Sequence, residues 1–127
     1  MFQLDMKSHR SIYEQIIDNV KELILRGVLE ENSRLPSVRD LSRDLAINPN
    51  TVQKAFKELE REGVIYTVPG RGAFVAPHAA RMPDPAKVKR IRDTIAGCYR
   101  ELMIAGVSAD DARKLILETI EKEGGQL

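Results

Sequence analysis

Three segments in the first half of the chain carry apolar residues at helical spacing. The first runs from about Ser11 to Arg26, and its apolar positions share one face because they recur every three or four residues. Residues 38–45 and 49–62 repeat the pattern and predict two further helices. The apolar positions that we expect to form a common core are Ile12, Ile16, Val20, Leu23, Val38, Leu41, Leu45, Val52, Ala55, Phe56 and Leu59.

Capping residues mark the ends of the second and third predicted helices. Ser37 and Asn48 can each accept a backbone N–H at a helix start. Pro49 suits the first helical position because its missing N–H is not needed there. Gly63 suits the position just after a helix end. Residues 46–48 are then left as a tight turn that joins the two helices.

A short hairpin is predicted to follow the third helix. Residues 64–68 are β-branched or aromatic and predict a strand, and Pro69-Gly70-Arg71-Gly72 has the composition of a turn, after which residues 73–75 return as a second strand. Helix, turn, helix and hairpin in this order predict a winged helix-turn-helix. This fold is mainly α with a small β-hairpin wing. It presents one helix in a way that lets the helix enter the DNA major groove. Residues 1–10 give no clear pattern, and a strand is one interpretation of them.

The C-terminal part predicts two more helices after a proline-rich stretch. We divide the chain into a winged-helix domain (1–76), a linker (77–85) and a two-helix dimerisation tail (86–127). Two helices in so short a tail cannot close a hydrophobic core by themselves, so they must pack on the winged helix or on a second chain. The prolines of the linker favour the second chain. In the first tail helix, apolar residues recur alternately every three and four positions, as in a coiled coil. The predicted dimerisation residues are Val88, Ile91, Ile95, Cys98, Tyr99, Leu102, Ile116 and Ile120.

A polar stripe without carboxylates lies opposite the apolar face of the third predicted helix. It consists of Asn50, Gln53, Lys54 and Lys57, which occur at i, i+3, i+4 and i+7. Amide side chains pair with adenine, and lysines contact guanine or phosphate, so this stripe is a candidate for reading DNA. A solvated helical surface is the alternative interpretation of the stripe taken alone.

Two arginines are candidates for contacts with the phosphate backbone. Arg39 lies near the positive end of the second predicted helix, where a nearby phosphate would offset the unfavourable dipole. Arg71 lies between Gly70 and Gly72 at the hairpin tip, where glycines let the backbone approach another surface closely. A phosphate backbone or the minor groove is a natural target for this arginine. An ordinary surface arginine and a plain hairpin are the alternatives.

Several motifs together resemble the GntR family of bacterial transcription regulators. The resemblance covers residues 10–76 and includes Leu35-Pro36-Ser37-Val38-Arg39-Asp40-Leu41, 48–52, 59–65 and Gly70-Arg71-Gly72-Ala73-Phe74-Val75. It implies DNA contacts by the arginine after Pro-Ser, by the start of the third helix and by the wing tip. With the polar stripe, the predicted DNA-binding residues are Ser37, Arg39, Asn48, Asn50, Thr51, Gln53, Lys54, Lys57, Gly70, Arg71 and Gly72.

The resemblance extends to the tail but does not transfer an operator sequence. Relatives often carry basic residues where this chain has Pro49 and Gln53, so different bases are expected to be read. The short two-helix tail is similar to the YtrA-type branch of the family. That similarity implies a homodimeric repressor of its own operon or of a transporter operon, bound to a palindromic double-stranded DNA operator.

Composition excludes most other function classes. A net charge of +1 does not itself indicate nucleic acid, so any DNA affinity must come from how charge is distributed. His9 and His78 have no ligand-spaced neighbours, and Cys98 lies on the apolar seam, where we expect a buried structural thiol. We therefore predict neither an enzyme nor a metal site nor a cofactor.

Three further expectations concern partners and place in the cell. No membrane-length apolar stretch and no signal peptide are evident, which favours a cytoplasmic protein without a membrane partner. A small-molecule effector would find room only at the dimer interface or in the crevice between domains. The alternative to DNA binding is a winged helix that only contacts other proteins.

Overall fold

The computed structural model describes residues 2–78 and 82–124. The chain divides into two compact units, residues 1–81 and residues 82–127. The predicted fold class, mainly helical with a small hairpin wing, is confirmed. The elements in chain order are α1 (Ile12–Leu25), α2 (Val38–Leu45), α3 (Pro49–Arg61), β1 (Ile65–Val68), β2 (Gly72–Val75), α4 (Pro85–Ile104) and α5 (Ala109–Gly124).

A capping box starts α1. The Ser11 hydroxyl oxygen accepts the backbone N–H of Glu14 at 3.1 Å, and the Glu14 carboxylate accepts the backbone N–H of Ser11 at the same distance. These two bonds satisfy donors that a helix start otherwise leaves unpaired. The backbone hydrogen bond from Ser11, followed by its hydroxyl and the nearby Arg10, lowers the pKa of Glu14.

Residues 2–10 form no strand, so that interpretation was wrong. The Gln15 amide holds this segment instead: its carbonyl oxygen accepts the Asp5 N–H at 2.7 Å, and its NH₂ group donates to the Asp5 and Arg10 carbonyl oxygens. A buried side chain thus supplies partners that a neighbouring strand would otherwise provide. Phe2 and Leu4 pack against the core from this segment.

The connection between α2 and α3 is built as the capping residues predict. The Ser37 hydroxyl accepts the Asp40 N–H at 3.0 Å, and the Asn48 side-chain oxygen accepts the Asn50 N–H at 2.8 Å. Ala46 ends α2 in the left-handed conformation with φ at +54°. Pro49 occupies the first turn of α3, as expected. This tight turn sets the direction of α3 relative to α2.

The hairpin is one residue shorter at its start than predicted, and its second strand begins earlier. Val64 is buried in the turn before β1, whereas Gly72 belongs to β2. The strands are antiparallel, with Ile65 opposite Val75 and Val68 opposite Gly72. The tip is closed by the Arg71 N–H, which donates to the Val68 carbonyl at 2.9 Å.

The core of the first unit lies between α1, α3 and the hairpin. Its side chains come from the apolar faces that the sequence pattern predicts, because those faces turn away from solvent. The largest fully buried side chains are Ile16, Leu59, Val20, Val52 and Val75. This packing holds α3 by one side only and leaves its opposite side exposed.

The second unit is a helix pair with little interior. Asp84 caps α4 by accepting the Ala86 N–H at 3.0 Å, and Pro85 is already helical, so the predicted linker ends one residue early. Residues 79–81 of that linker lie outside the described residues. Ala112 is fully buried, but half of the Ile95 surface is exposed. Cys98 is exposed as well, so the expected burial of its thiol is not met within a single chain.

Candidate nucleic-acid interface

The exposed side of α3 carries the predicted polar stripe. Asn50, Gln53, Lys54 and Lys57 are all exposed, whereas Val52, Ala55, Phe56 and Leu59 are buried. The core therefore fixes the helix without using any side chain of the stripe. The amides of Asn50 and Gln53 and the ammonium group of Lys57 are available on this side to the edges of bases and to phosphates.

The residues at the start of α3 both form the helix cap and carry polar groups that can contact DNA. Asn48 uses its side-chain oxygen to cap the helix, so its NH₂ group is the end left to donate outwards. The Thr51 N–H donates to the Asn48 carbonyl at 3.0 Å, and its side chain is half-buried. The cap thus holds Asn48 and Thr51 in place beside the exposed Asn50.

Lys54 differs from its neighbours in the stripe. Its Nζ atom lies 5.4 Å from the centroid of the Tyr13 ring, over the ring face. A lysine in this position is attracted to the aromatic ring and ties α3 to α1. Lys54 is therefore already in contact with another side chain of the same chain, which the sequence pattern did not indicate.

The acids at the end of α3 are each engaged with a neighbouring side chain. Glu58 accepts two hydrogen bonds from Arg61, the one from Nε at 2.9 Å, and these bonds raise the pKa of Arg61. Glu62 pairs with Lys21 at 3.2 Å, and Glu60 accepts the hydroxyl proton of Thr67 at 2.6 Å. Each of these carboxylates thus has a partner within the chain, and Glu60 lines the same groove as the stripe residue Lys57.

Arg39 and Ser37 lie at the start of α2. Arg39 is exposed, and no carboxylate pairs with it within residues 2–78. Its neighbour Asp40 instead accepts a hydrogen bond from Arg43 at 3.1 Å. The Ser37 hydroxyl oxygen serves as the cap, and its proton remains to be donated. Both side chains are suited to contact phosphate oxygens.

The wing tip presents Arg71 on a glycine-framed turn. Gly70 and Gly72 have φ values of +76° and +117°, which L side chains rarely adopt. Nothing lies within 4 Å of the position that a Cβ atom on Gly70 would take. The turn therefore has an open outer surface, from which the exposed Arg71 can reach a neighbouring groove.

A groove separates the wing from α3, and one of the cations that line it, Arg34, is not among the DNA-binding residues predicted from the sequence. Its volume is about 170 Å³, and Arg34, Ser37, Gln53, Lys57 and Gly72 are among the residues that line it. Arg34 has no motif signal of its own, because backbone pairing with Phe74, far along the chain, is what places it. Only the folded structure brings these segments together.

The pattern of the family described as bacterial regulatory proteins, gntR family, matches residues 12–75, just over half of the chain. The chain belongs to the GntR family. The HTH-type transcriptional repressor YtrA of Bacillus subtilis (strain 168) is 39% identical over 127 residues, which cover 99% of this chain and 98% of YtrA. The GntR assignment and the likeness to YtrA are therefore confirmed.

Two solved structures support the same conclusion for this GntR protein. A transcriptional antiterminator from Listeria monocytogenes EGD-e superposes with a TM-score of 0.78 at 36% identity, covering 97% of this chain and 92% of that one. AraR(DBD) in complex with operator ORE1 superposes at 0.52 with 25% identity, covering 60% of this chain and 93% of that one. The prediction of a DNA-binding transcription regulator, and not an enzyme, is confirmed by the family and these relatives.

The described residues of this GntR protein offer neither a membrane-spanning helix nor a cluster of metal ligands. None of the helices in residues 2–78 and 82–124 combines the length and the apolar character that a membrane crossing needs. Over the same residues, no group of three His, Cys, Asp or Glu side chains is placed to hold a metal ion.

Replacing Arg39 with alanine should weaken binding to every DNA sequence to a similar degree. The reason is that a phosphate contact carries no sequence information, and its loss lowers the slope of log affinity against log salt by about 0.9. Fluorescence anisotropy over a salt series measures both quantities. Arg43→Ala is the matched control on the same helix, because Arg43 is already bonded to Asp40. An unchanged affinity for Arg39→Ala would rule out the phosphate contact.

Proposed function

We propose that this GntR protein is a homodimeric repressor that reads a two-fold symmetric operator through α3 and the wing tip at residues 70–72. The observation that carries the proposal is the exposed, carboxylate-free stripe on α3 beside an arginine-bearing wing. The name of the relative YtrA, a transcriptional repressor, supports the same assignment. The cytoplasm is the compartment that we propose, because the operator DNA is there.

The interface suggests a division between reading bases and holding the backbone. Asn50 and Gln53 carry exposed amides on α3, and such groups form paired hydrogen bonds with adenine. Lys57, Arg39 and Arg71 supply positive charge around them and are assigned to phosphates. Sequence preference would then come from the amides, and much of the affinity from the cations.

Replacing Gln53 with alanine should reduce operator binding by about 1–3 kcal/mol and affect random DNA less. A side chain that reads a base edge matters only where the correct base is present. Parallel titrations of the operator and of a scrambled duplex give the difference directly. Gln3→Ala serves as the control, because Gln3 is also exposed and belongs to no proposed contact. Equal losses on both duplexes would show that Gln53 reads no base.

The dimer is proposed from the helix pair formed by α4 and α5. Ile91, Ile95 and Val88 keep about half of their surface exposed in the single chain, and they belong to one coiled-coil seam. A second copy of the same pair would bury this seam. Two copies of α3 related by a two-fold axis would then reach half-sites about one DNA turn apart.

The decisive experiment is a selection of genomic fragments by the purified protein at near-physiological salt. A two-fold symmetric motif near its own promoter, or near a transporter operon, is the expected result. Binding that is weak, salt-sensitive and without a motif is the result expected if a small-molecule effector must bind first. Binding to no DNA at all would contradict the proposal and favour a winged helix that only contacts proteins.

A further inference from the structure

Residues 32–35 run beside the wing as a third, short backbone segment. The Leu35 N–H donates to the Ala73 carbonyl at 2.8 Å, and the Val75 N–H donates to the Ser33 carbonyl at 2.9 Å. Arg34 lies between these bonds and forms a bridge pair with Phe74. The position of Arg34 is therefore set by the hairpin and not by a flexible loop.

The Arg34 side chain lies across Gly72. A Cβ atom on Gly72 would meet Arg34 Nε at 3.2 Å and Nη2 at 3.5 Å, in a backbone conformation with φ at +117°. Glycine at position 72 thus lets the guanidinium lie close against the wing beside its tip. Arg34 is exposed, and no carboxylate pairs with it in the described part of the first unit.

The guanidinium also lines the groove between α3 and the wing, together with Lys57. Glu60 lines the same groove, but its carboxylate accepts the Thr67 hydroxyl proton at 2.6 Å. Within residues 2–78 and 82–124 neither Arg34 nor Lys57 pairs with a carboxylate, so these two cations and the single Glu60 carboxylate leave the groove net positive. An anion is the ligand that this charge favours.

The geometry of a duplex indicates which anion would be there. When α3 enters the major groove and the wing enters the adjacent minor groove, one phosphate strand must pass between them. That strand would run along the groove that Arg34 lines. A guanidinium offers a planar pair of N–H donors that matches two phosphate oxygens.

We propose that Arg34 binds the DNA phosphate strand that passes between the recognition helix and the wing. Gly72 provides the space in which the Arg34 side chain lies. The Arg34 side chain is therefore one reason for a glycine at position 72. The inference rests on the proposed function, since it needs α3 and the wing in neighbouring grooves. It adds a contact to the DNA phosphate backbone from Arg34, which belongs to none of the sequence motifs.

Arg34→Gln tests this contact by removing the positive charge and the guanidinium fork while keeping a polar side chain. We expect affinity for operator and for scrambled DNA to fall about tenfold or more, as for loss of a charge-assisted hydrogen bond. The salt slope should shrink by about 0.9. Arg34→Lys should keep the slope and recover only part of the affinity, because lysine carries the charge without the fork.

Arg26→Gln is the matched control, since Arg26 is an exposed arginine that pairs with Glu22 at 2.8 Å. It should bind both duplexes like the unchanged protein. If Arg34→Gln binds both duplexes with unchanged affinity and slope while the unchanged protein selects its operator, the role of Arg34 is overturned and the proposed function stands. If the unchanged protein itself fails to distinguish operator from scrambled DNA, the proposed function fails first.

Discussion

Replacing Ile95 with glutamate is expected to turn the protein into a monomer and to lower operator affinity by about 10²–10⁴-fold. Ile95 lies in the middle of the α4 seam, with 50% of its surface exposed in one chain. A carboxylate there would have to be buried without a partner in the dimer, which is strongly unfavourable. Two separate monomers would also lose the gain that comes from linking two half-site contacts.

Light scattering gives the oligomeric state of this variant, and anisotropy with a complete operator and with a single half-site gives its DNA affinity. Ile104→Glu is the matched control. Ile104 is nine positions further along α4, on roughly the opposite side of the helix, and 86% of its surface is exposed. It should remain a dimer. A dimeric Ile95→Glu variant would place the interface elsewhere.

Leu59→Ala should lower the free energy of unfolding by about 2–5 kcal/mol, through lost burial and the cavity left behind. Leu59 is fully buried in α3, and its side chain packs in the core that supports the recognition surface. For a small protein this loss is a large part of the total stability. Urea unfolding followed by circular dichroism, at one protein concentration, measures the change.

Leu25→Ala provides the comparison, because 59% of the Leu25 surface is exposed. It is also a leucine-to-alanine substitution, and we expect it to change the free energy of unfolding by about 0.5 kcal/mol or less. Similar values for the two variants would mean that Leu59 is not in a close-packed core. Leu59→Ala should also bind DNA more weakly, because part of it is unfolded, whereas Leu25→Ala should bind DNA with unchanged affinity.

The parts of the fold that depend on neighbouring residues were predictable from the sequence. Ser37 and Asn48 cap α2 and α3, and Gly63 follows α3 with φ at +75°. Each of these features needs only a helix end and a suitable residue beside it, so capping chemistry identifies it. The buried and exposed sides of α3 followed from helical periodicity in the same way.

Features that depend on distant residues were not predictable. The N-terminal segment is held by the side chain of Gln15, and Arg34 is placed by its backbone pairing with Phe74. Lys54 is turned towards Tyr13 on a different helix. No local pattern contains these partners, because they meet only when the chain has folded. Cys98 illustrates a related limit, since its burial would require a second chain.

The separation of α3 into a packed side and a solvent-facing side has a meaning for how such regulators diverge. Substitution of Asn50 or Gln53 removes no core contact, so it should alter folding free energy by about 0.5 kcal/mol or less. Duplicated copies of the gene could therefore acquire new operators while the scaffold stays intact. Evolution of regulatory targets would then proceed through exposed amides, at almost no risk to the folding of the protein.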